Sequence, residues 1–182
     1  MEYQTTPGRA GQFTAIMEEM TAWFSYATHR VNHFLKVWAY ARHLGLSEGL
    51  SEEMQFLLEV AALMHDIGIR PSEEKYHSAA GKYQETEGPI VARPILERHG
   101  FTPEQTERIC YLIAHHHTYE NMDGPDYQIL VEADFLVNLF EEGHTRHSIE
   151  SVREKIFRTA SGLKCLDTLY LGPGGQIPAE KD

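Results

Sequence analysis

Apolar residues recur along this chain at spacings of three and four, the mark of amphipathic helix. Segments that alternate apolar and polar, as a half-buried strand would, are scarce. The pattern predicts an all-α fold of about six helices. Residues 13–44 read as helix, with a break near Thr28 and Gly45 as the stop. Ser51 is placed to cap the next, with Glu52 and Glu53 in its first turn facing the helix dipole, and this helix runs to about His65. Gly88-Pro89 opens a third that ends near His99-Gly100. The fourth has the most explicit start, with Thr102 at the N-cap, Pro103 at N1 and Gln105 at N3, and it extends to about His117. Residues 127–143 and 148–171 complete the set.

These elements are expected to form one domain over 1–171 with its core in 13–143, followed by a disordered tail at 172–182. One connection stands apart. Residues 70–89 are polar, and a structureless loop of that length exceeds the ~12–15 residues usual in compact domains. The stretch is read as a long loop after the second helix, shaping a pocket. Its "SAAGK" lacks both the preceding strand and the spacing of a phosphate-binding loop.

The charge of −11 over 182 residues carries no basic stripe, which argues against general nucleic-acid binding. An anionic substrate would then need a local positive centre, and a bound divalent cation supplies one. No apolar run approaches the ~20 residues of a membrane span, and no signal sequence is visible, so a cytoplasmic location is expected. Cys110 and Cys165 both sit in apolar helical patterns and read as core thiols rather than a disulfide.

Candidate chemistry begins at "AALMHDIGI", residues 61–69, where an apolar helix ends in adjacent His65 and Asp66. Burying both is costly unless each is partnered. His33 shares an apolar stripe with Val37 and Ala41, whereas His29 and His43 do not combine with it. Asp134 lies in a helix that is apolar almost all round, which places its carboxylate inside. In the run 115–117 a helical wheel of ~100° per residue brings His116 within about 40° of the apolar face and His117 within about 60°. It turns His115 to the surface. Imidazoles and carboxylates from four inward helix faces suit a Mn, Fe, Co or Zn ion, which helix bundles hold in their cores.

The order H…HD…D, carried by His33, His65-Asp66 and Asp134, resembles the HD-domain superfamily of metal-dependent phosphohydrolases. "HFLKVWAYA", "AALMHDIGI" and "VEADFLVNL" match the contexts of its first, second and last ligand helices, over about residues 30–140. The resemblance implies an HD-domain-like helical bundle with one divalent ion (Mn, Fe, Co, Zn or Mg) on His33, His65, Asp66 and Asp134. It also implies hydrolysis of a phosphomonoester or phosphodiester, with a small phosphorylated substrate such as a nucleotide. His116 and His117 occupy the place of a pair that holds a second ion in dinuclear members. A further histidine of those members is replaced by "KYQETEG", where Glu87 is the substitute ligand. Asp66 is the candidate catalytic base, and Arg70, Lys75 and Lys82 are candidates to hold the phosphate. Two alternatives remain: a di-iron oxygenase on the same scaffold, and a non-catalytic sensing or binding module.

Overall fold

The computed structural model describes residues 8–25 and 27–172. The tail beyond 172, expected to be disordered, lies outside them. The elements are α1 (Arg9–Trp23), α2 (Thr28–Ser47), α3 (Glu52–Met64), a 3-10 turn (His65–Gly68), α4 (Ile69–Tyr76), α5 (Gly81–Arg98), α6 (Pro103–Ile113), α7 (Pro125–Glu141), α8 (Arg146–Lys155), α9 (Ala160–Leu166) and a π-helical turn (Asp167–Leu171). The described residues are all-α, with no strand.

Two helices form the axis. Every residue of α3 from Gln55 to Met64 is buried, as is the run Ile129–Asp134 of α7. Such all-round burial requires neighbours on every side. Helices α1, α2, α6 and α7 surround α3, while α2 lies along both α3 and α7. Phe34, Val37, Ala41 and Leu44 are the apolar face that α2 presents to them. Burying side chains of this size stabilises the fold by roughly 1.5–3 kcal/mol each.

Local signals set several boundaries as expected. The break near Thr28 separates α1 from α2. Ser51 Oγ accepts from Met54 N at 3.2 Å. Thr102 and Gln105 form the full capping box, with Pro103 following the cap.

Four boundaries differ. Gly45, expected as a stop, lies buried inside α2, which runs on to Ser47. The stretch 70–89 is largely helical: α4 follows the 3-10 turn directly, only residues 77–80 are non-helical, and α5 begins at Gly81 rather than Gly88. Pro89 and Pro94 both lie inside α5. Tertiary contact overrides the local breakers here. Tyr76 stacks on Tyr83, with ring centroids 4.3 Å apart, and its hydroxyl donates to Glu87 at 2.9 Å, tying α4 to α5. At the crossing of α5 with the 3-10 turn, a Cβ on Gly68 would lie 2.4 Å from the Gln84 carbonyl oxygen, so only glycine admits so close a backbone approach.

Helix α6 stops at Ile113, and residues 114–117 form turns instead of further helix. This corner is held from two sides. Tyr127 donates its hydroxyl hydrogen to the carbonyls of His115 and Thr118, and Arg108 bridges Asp123 and Asp126 by four hydrogen bonds. Finally, the expected helix over 148–171 is divided into α8, α9 and the π turn. The division falls where buried Glu132 of α7 accepts from Arg158 N at 2.6 Å and Thr159 N at 2.9 Å. A carboxylate that takes up free backbone donors fixes the chain outside helical geometry.

Candidate metal centre

Three elements converge at the carboxyl end of α3. The chain changes from α to 3-10 winding at His65, and this tighter turn carries both His65 and Asp66. Helix α2 brings His33, and α7 brings Asp134. His33 Nε2 lies 3.1 Å from Asp134 Oδ1, 3.3 Å from His65 Nε2 and 3.6 Å from Asp66 Oδ2. His65 Nε2 lies 3.5 Å from Asp66 Oδ2 and 3.6 Å from Asp134 Oδ1. Ligands bonded to one ion at ~2.0–2.2 Å stand about 3.0–3.5 Å from one another, so these spacings fit a shared cation.

The imidazole tautomers agree. A carbonyl or carboxylate oxygen only accepts, so a ring nitrogen bonded to one donates. His33, charged with a pKa of about 9, donates from Nε2 to Asp134 Oδ1 as well as from Nδ1. His65 Nδ1 donates to Ala62 O at 2.8 Å, and His33 Nδ1 donates to Glu141 Oε2 at 2.8 Å. His116 Nδ1 likewise donates to Ile113 O at 2.8 Å. Each arrangement leaves Nε2 for the centre, as the supporting hydrogen bonds of metal-ligating histidines do. Glu141 escaped the sequence reading. It follows Asp134 by seven residues, two helical turns along the same face, which is the signal that marks it.

A second set adjoins the first. Asp66, His116 and His117 place ligand atoms within 4.8 Å of one another, as do His33, His65 and Asp66. Asp66 turns Oδ2 to the first set and Oδ1 to His116 Nε2, 3.7 Å away. The Nε2 atoms of His116 and His117 are buried without a hydrogen-bond partner. Orphaned buried polar atoms are costly and call for an explanation, and a cation held between them would supply one. Gly81 makes room for this arrangement, because a Cβ there would lie 2.7 Å from the His117 ring. His115 is half-buried outside both sets, with Nδ1 donating to Tyr111 O at 2.7 Å.

Electrostatics bind the cluster tightly. Burial opposes a charge on His33, but the Asp134 hydrogen bond and the charges of Asp66 and Asp134 outweigh it and hold its pKa up to about 9. Burial would raise both carboxyls, yet the adjacent imidazoles keep Asp66 and Asp134 well below the usual carboxylate range. His117 goes the other way: burial and neighbouring His116 push it down to about 4, so its ring is neutral at pH 7.

The remaining candidates are placed elsewhere. Glu87 is buried but accepts from Lys75 Nζ at 2.5 Å and Tyr76 at 2.9 Å, and it belongs to neither ligand set. That pair also occupies Lys75. Arg70 bonds Glu74 at 3.0 Å and lies over Trp23, while Lys82 lies over the ring of Tyr83. The histidine–aspartate cluster opens into a cavity of about 260 Å³ lined by Gln84, His117, Asn138 and Glu142 besides Asp66 and Asp134; Arg70, Lys75 and Lys82 do not line it. Larger hollows of about 510 and 470 Å³ contain none of the ligand sets.

The HD domain family matches residues 30–158, a span that takes in every ligand of both sets, and the chain belongs to this family. A similar solved structure is the crystal structure of a predicted HD superfamily hydrolase from an uncultured Thermotogales bacterium. It is 19% identical, with a TM-score of 0.62, over 88% of this chain and 84% of that one. At that identity the likeness concerns the fold. No curated protein matches the chain. Among the described residues no helix is long and apolar enough to cross a membrane.

Proposed function

We propose that this protein is a metal-dependent phosphohydrolase that cleaves a small phosphate ester, with His33, His65, Asp66 and Asp134 holding one divalent ion and Asp66, His116 and His117 a second. The observation that carries the reading is the commitment of Nδ1 on His33, His65 and His116 to oxygen acceptors, which directs three Nε2 atoms at two carboxylates in one buried cluster. When bound, the ion supplies Lewis acidity and a water of lowered pKa. Asp66 faces both ligand sets, so its carboxylate would orient a water held there and relay the water's proton toward the departing ester oxygen. Ile69, Ala79 and Gly81 line the same cavity beside the cluster. One water is consumed, and the ester oxygen leaves as an alcohol.

Glu87 is not part of this proposal, since Lys75 and Tyr76 take its carboxylate. The test is metal content per chain after reconstitution with Mn, Fe, Co or Zn, followed by a phosphate-ester panel. We expect one to two ions per chain and hydrolysis that Asp66→Ala and Asp134→Ala abolish together with metal binding, while His115→Ala retains both. Undiminished hydrolysis by an Asp66→Ala protein shown to lack metal would overturn the assignment. So would a wild-type chain that takes up none of these ions.

A further inference from the structure

Resting on that reading, we infer that the substrate is a small phosphomonoester with a single phosphate on a hydroxylated carbon skeleton, such as a sugar or polyol phosphate, and that polyphosphates are excluded. Three observations support this. The first is charge. The residues lining the cavity include Asp66, Asp134 and Glu142 but neither lysine nor arginine. The cations that flank the lining residues in sequence are engaged outside it, Arg70 by Glu74, Lys75 by Glu87, Lys82 on Tyr83, Arg30 by Glu73 and Lys36 by Glu141. One phosphate dianion would be matched by the ions on the histidine–aspartate cluster. A second or third phosphate would meet no lysine or arginine on the lining, only the Glu142 carboxylate, which His144 Nε2 bonds at 2.8 Å, and like charges brought together repel.

The second observation is the kind of polar group that remains. Beyond the cluster, the cavity offers Gln84 and Asn138, two amides suited to neutral hydroxyl partners. Gln84 is buried and its orientation is fixed, because Nε2 donates to Ala79 O at 2.7 Å. Its Oε1 is left buried with no donor. An unpaired buried acceptor favours a ligand that brings an O–H over one that does not. Glu142, whose Oε2 is bonded by His144, adds its other carboxylate oxygen for the same class of group. The third is size: about 260 Å³ lies below the ~300–1,000 Å³ of pockets for drug-sized ligands. A pentose or hexose phosphate suits it.

The experiment measures kcat/KM on the metal-reconstituted protein with ribose 5-phosphate, ATP and p-nitrophenyl phosphate, the last having one phosphate and no aliphatic hydroxyl. We expect ribose 5-phosphate to exceed ATP by at least about tenfold, the equivalent of one lost hydrogen bond or one repulsive charge pair. In Gln84→Leu and, separately, Asn138→Leu, the ratio of ribose 5-phosphate to p-nitrophenyl phosphate should fall about tenfold, as expected for loss of one hydrogen bond to the sugar. Glu142→Lys should raise ATP relative to ribose 5-phosphate. Preference for ATP by the wild type, or an unchanged ratio in both amide variants, would overturn the inference while leaving the phosphohydrolase reading intact. Hydrolysis of none of the three would overturn both. Should Gln84→Leu fail to fold, Asn138→Leu and Glu142→Lys still decide the matter.

Discussion

Consider what happens when the carboxylate behind His33 is removed. Glu141 accepts from His33 Nδ1 at 2.8 Å and also pairs with Lys36, and the two side chains of the His33–Glu141 contact are 11% and 30% exposed. A charge-assisted hydrogen bond contributes about 1.5–3 kcal/mol when buried. Partial exposure of the glutamate reduces this to about 1–2 kcal/mol. In Glu141→Ala, His33 Nδ1 has no acceptor, the ring is free to rotate or to take the tautomer with its proton on Nε2 alone, and metal binding must first restore the productive one. The expected loss of metal affinity is therefore about 5–30-fold, overlapping the roughly 10–100-fold range seen when outer partners of metal ligands are removed. Glu141→Gln retains an oxygen acceptor and should recover to within about threefold of wild type. The assay is competition for Mn or Zn against a fluorescent chelator, with thermal unfolding in EDTA to show that each variant is folded. Wild-type affinity in a folded Glu141→Ala protein would refute the argument. Equal loss in both variants would show that the charge, rather than the hydrogen bond, does the positioning.

Other consequences are equally direct. Gly81→Ala introduces a methyl 2.7 Å from the His117 ring, so the ring must move; ions bound per chain at limiting metal should fall, and an unchanged count would exclude a role for His117. Glu132→Ala strips the acceptor from Arg158 N, Thr159 N and Gln128 Nε2; unfolding by urea should show a loss of about 3 kcal/mol, and a loss below about 1 kcal/mol would mean that the C-terminal helices dock without it. Burial pushes the Cys110 thiol up to about 11 from its ordinary value near 9. The unfolded chain ionises first, so this group's contribution to stability is present below pH 9 and is lost as pH rises toward 11. Mass spectrometry should find Cys110 almost unreactive to iodoacetamide at pH 8, and fast labelling would show that α5 and α6 part readily.

How much of this was legible in the sequence follows from where each signal resides. The capping box of Thr102 and Gln105 is wholly local, and the structure contains it. The all-α character and the inward placement of His33 and Asp134 follow from helical periodicity, which the helices preserve. The stretch 70–89 misled because α5 starts at Gly81 without a side-chain cap and continues through Pro89 and Pro94. Its stability comes from Tyr76, Glu87 and the crossing with the 3-10 turn, contacts that no local window contains. His116 points inward although α6 has already ended, so the wheel reached a correct orientation through a helix that is not there. The phosphate-holding cations could not be judged from charge alone, since Glu74, Glu87 and Tyr83 claim them only in three dimensions.

The crossing between the 3-10 turn and α5 also bears on how such a chain can change over generations. At Gly88 the obstacle to a side chain is the Cγ2 methyl of Ile113, 2.6 Å from the would-be Cβ. Shortening Ile113 first would open a viable two-step route for that position. At Gly68 the obstacles are main-chain atoms, the Gln84 carbonyl oxygen at 2.4 Å and the Gly88 nitrogen at 2.8 Å. No replacement at position 84 or 88 removes a carbonyl or an amide nitrogen, so no second-site change can accommodate a first one. Position 88 is a slow path through sequence space, and position 68, two residues from Asp66, is a closed one.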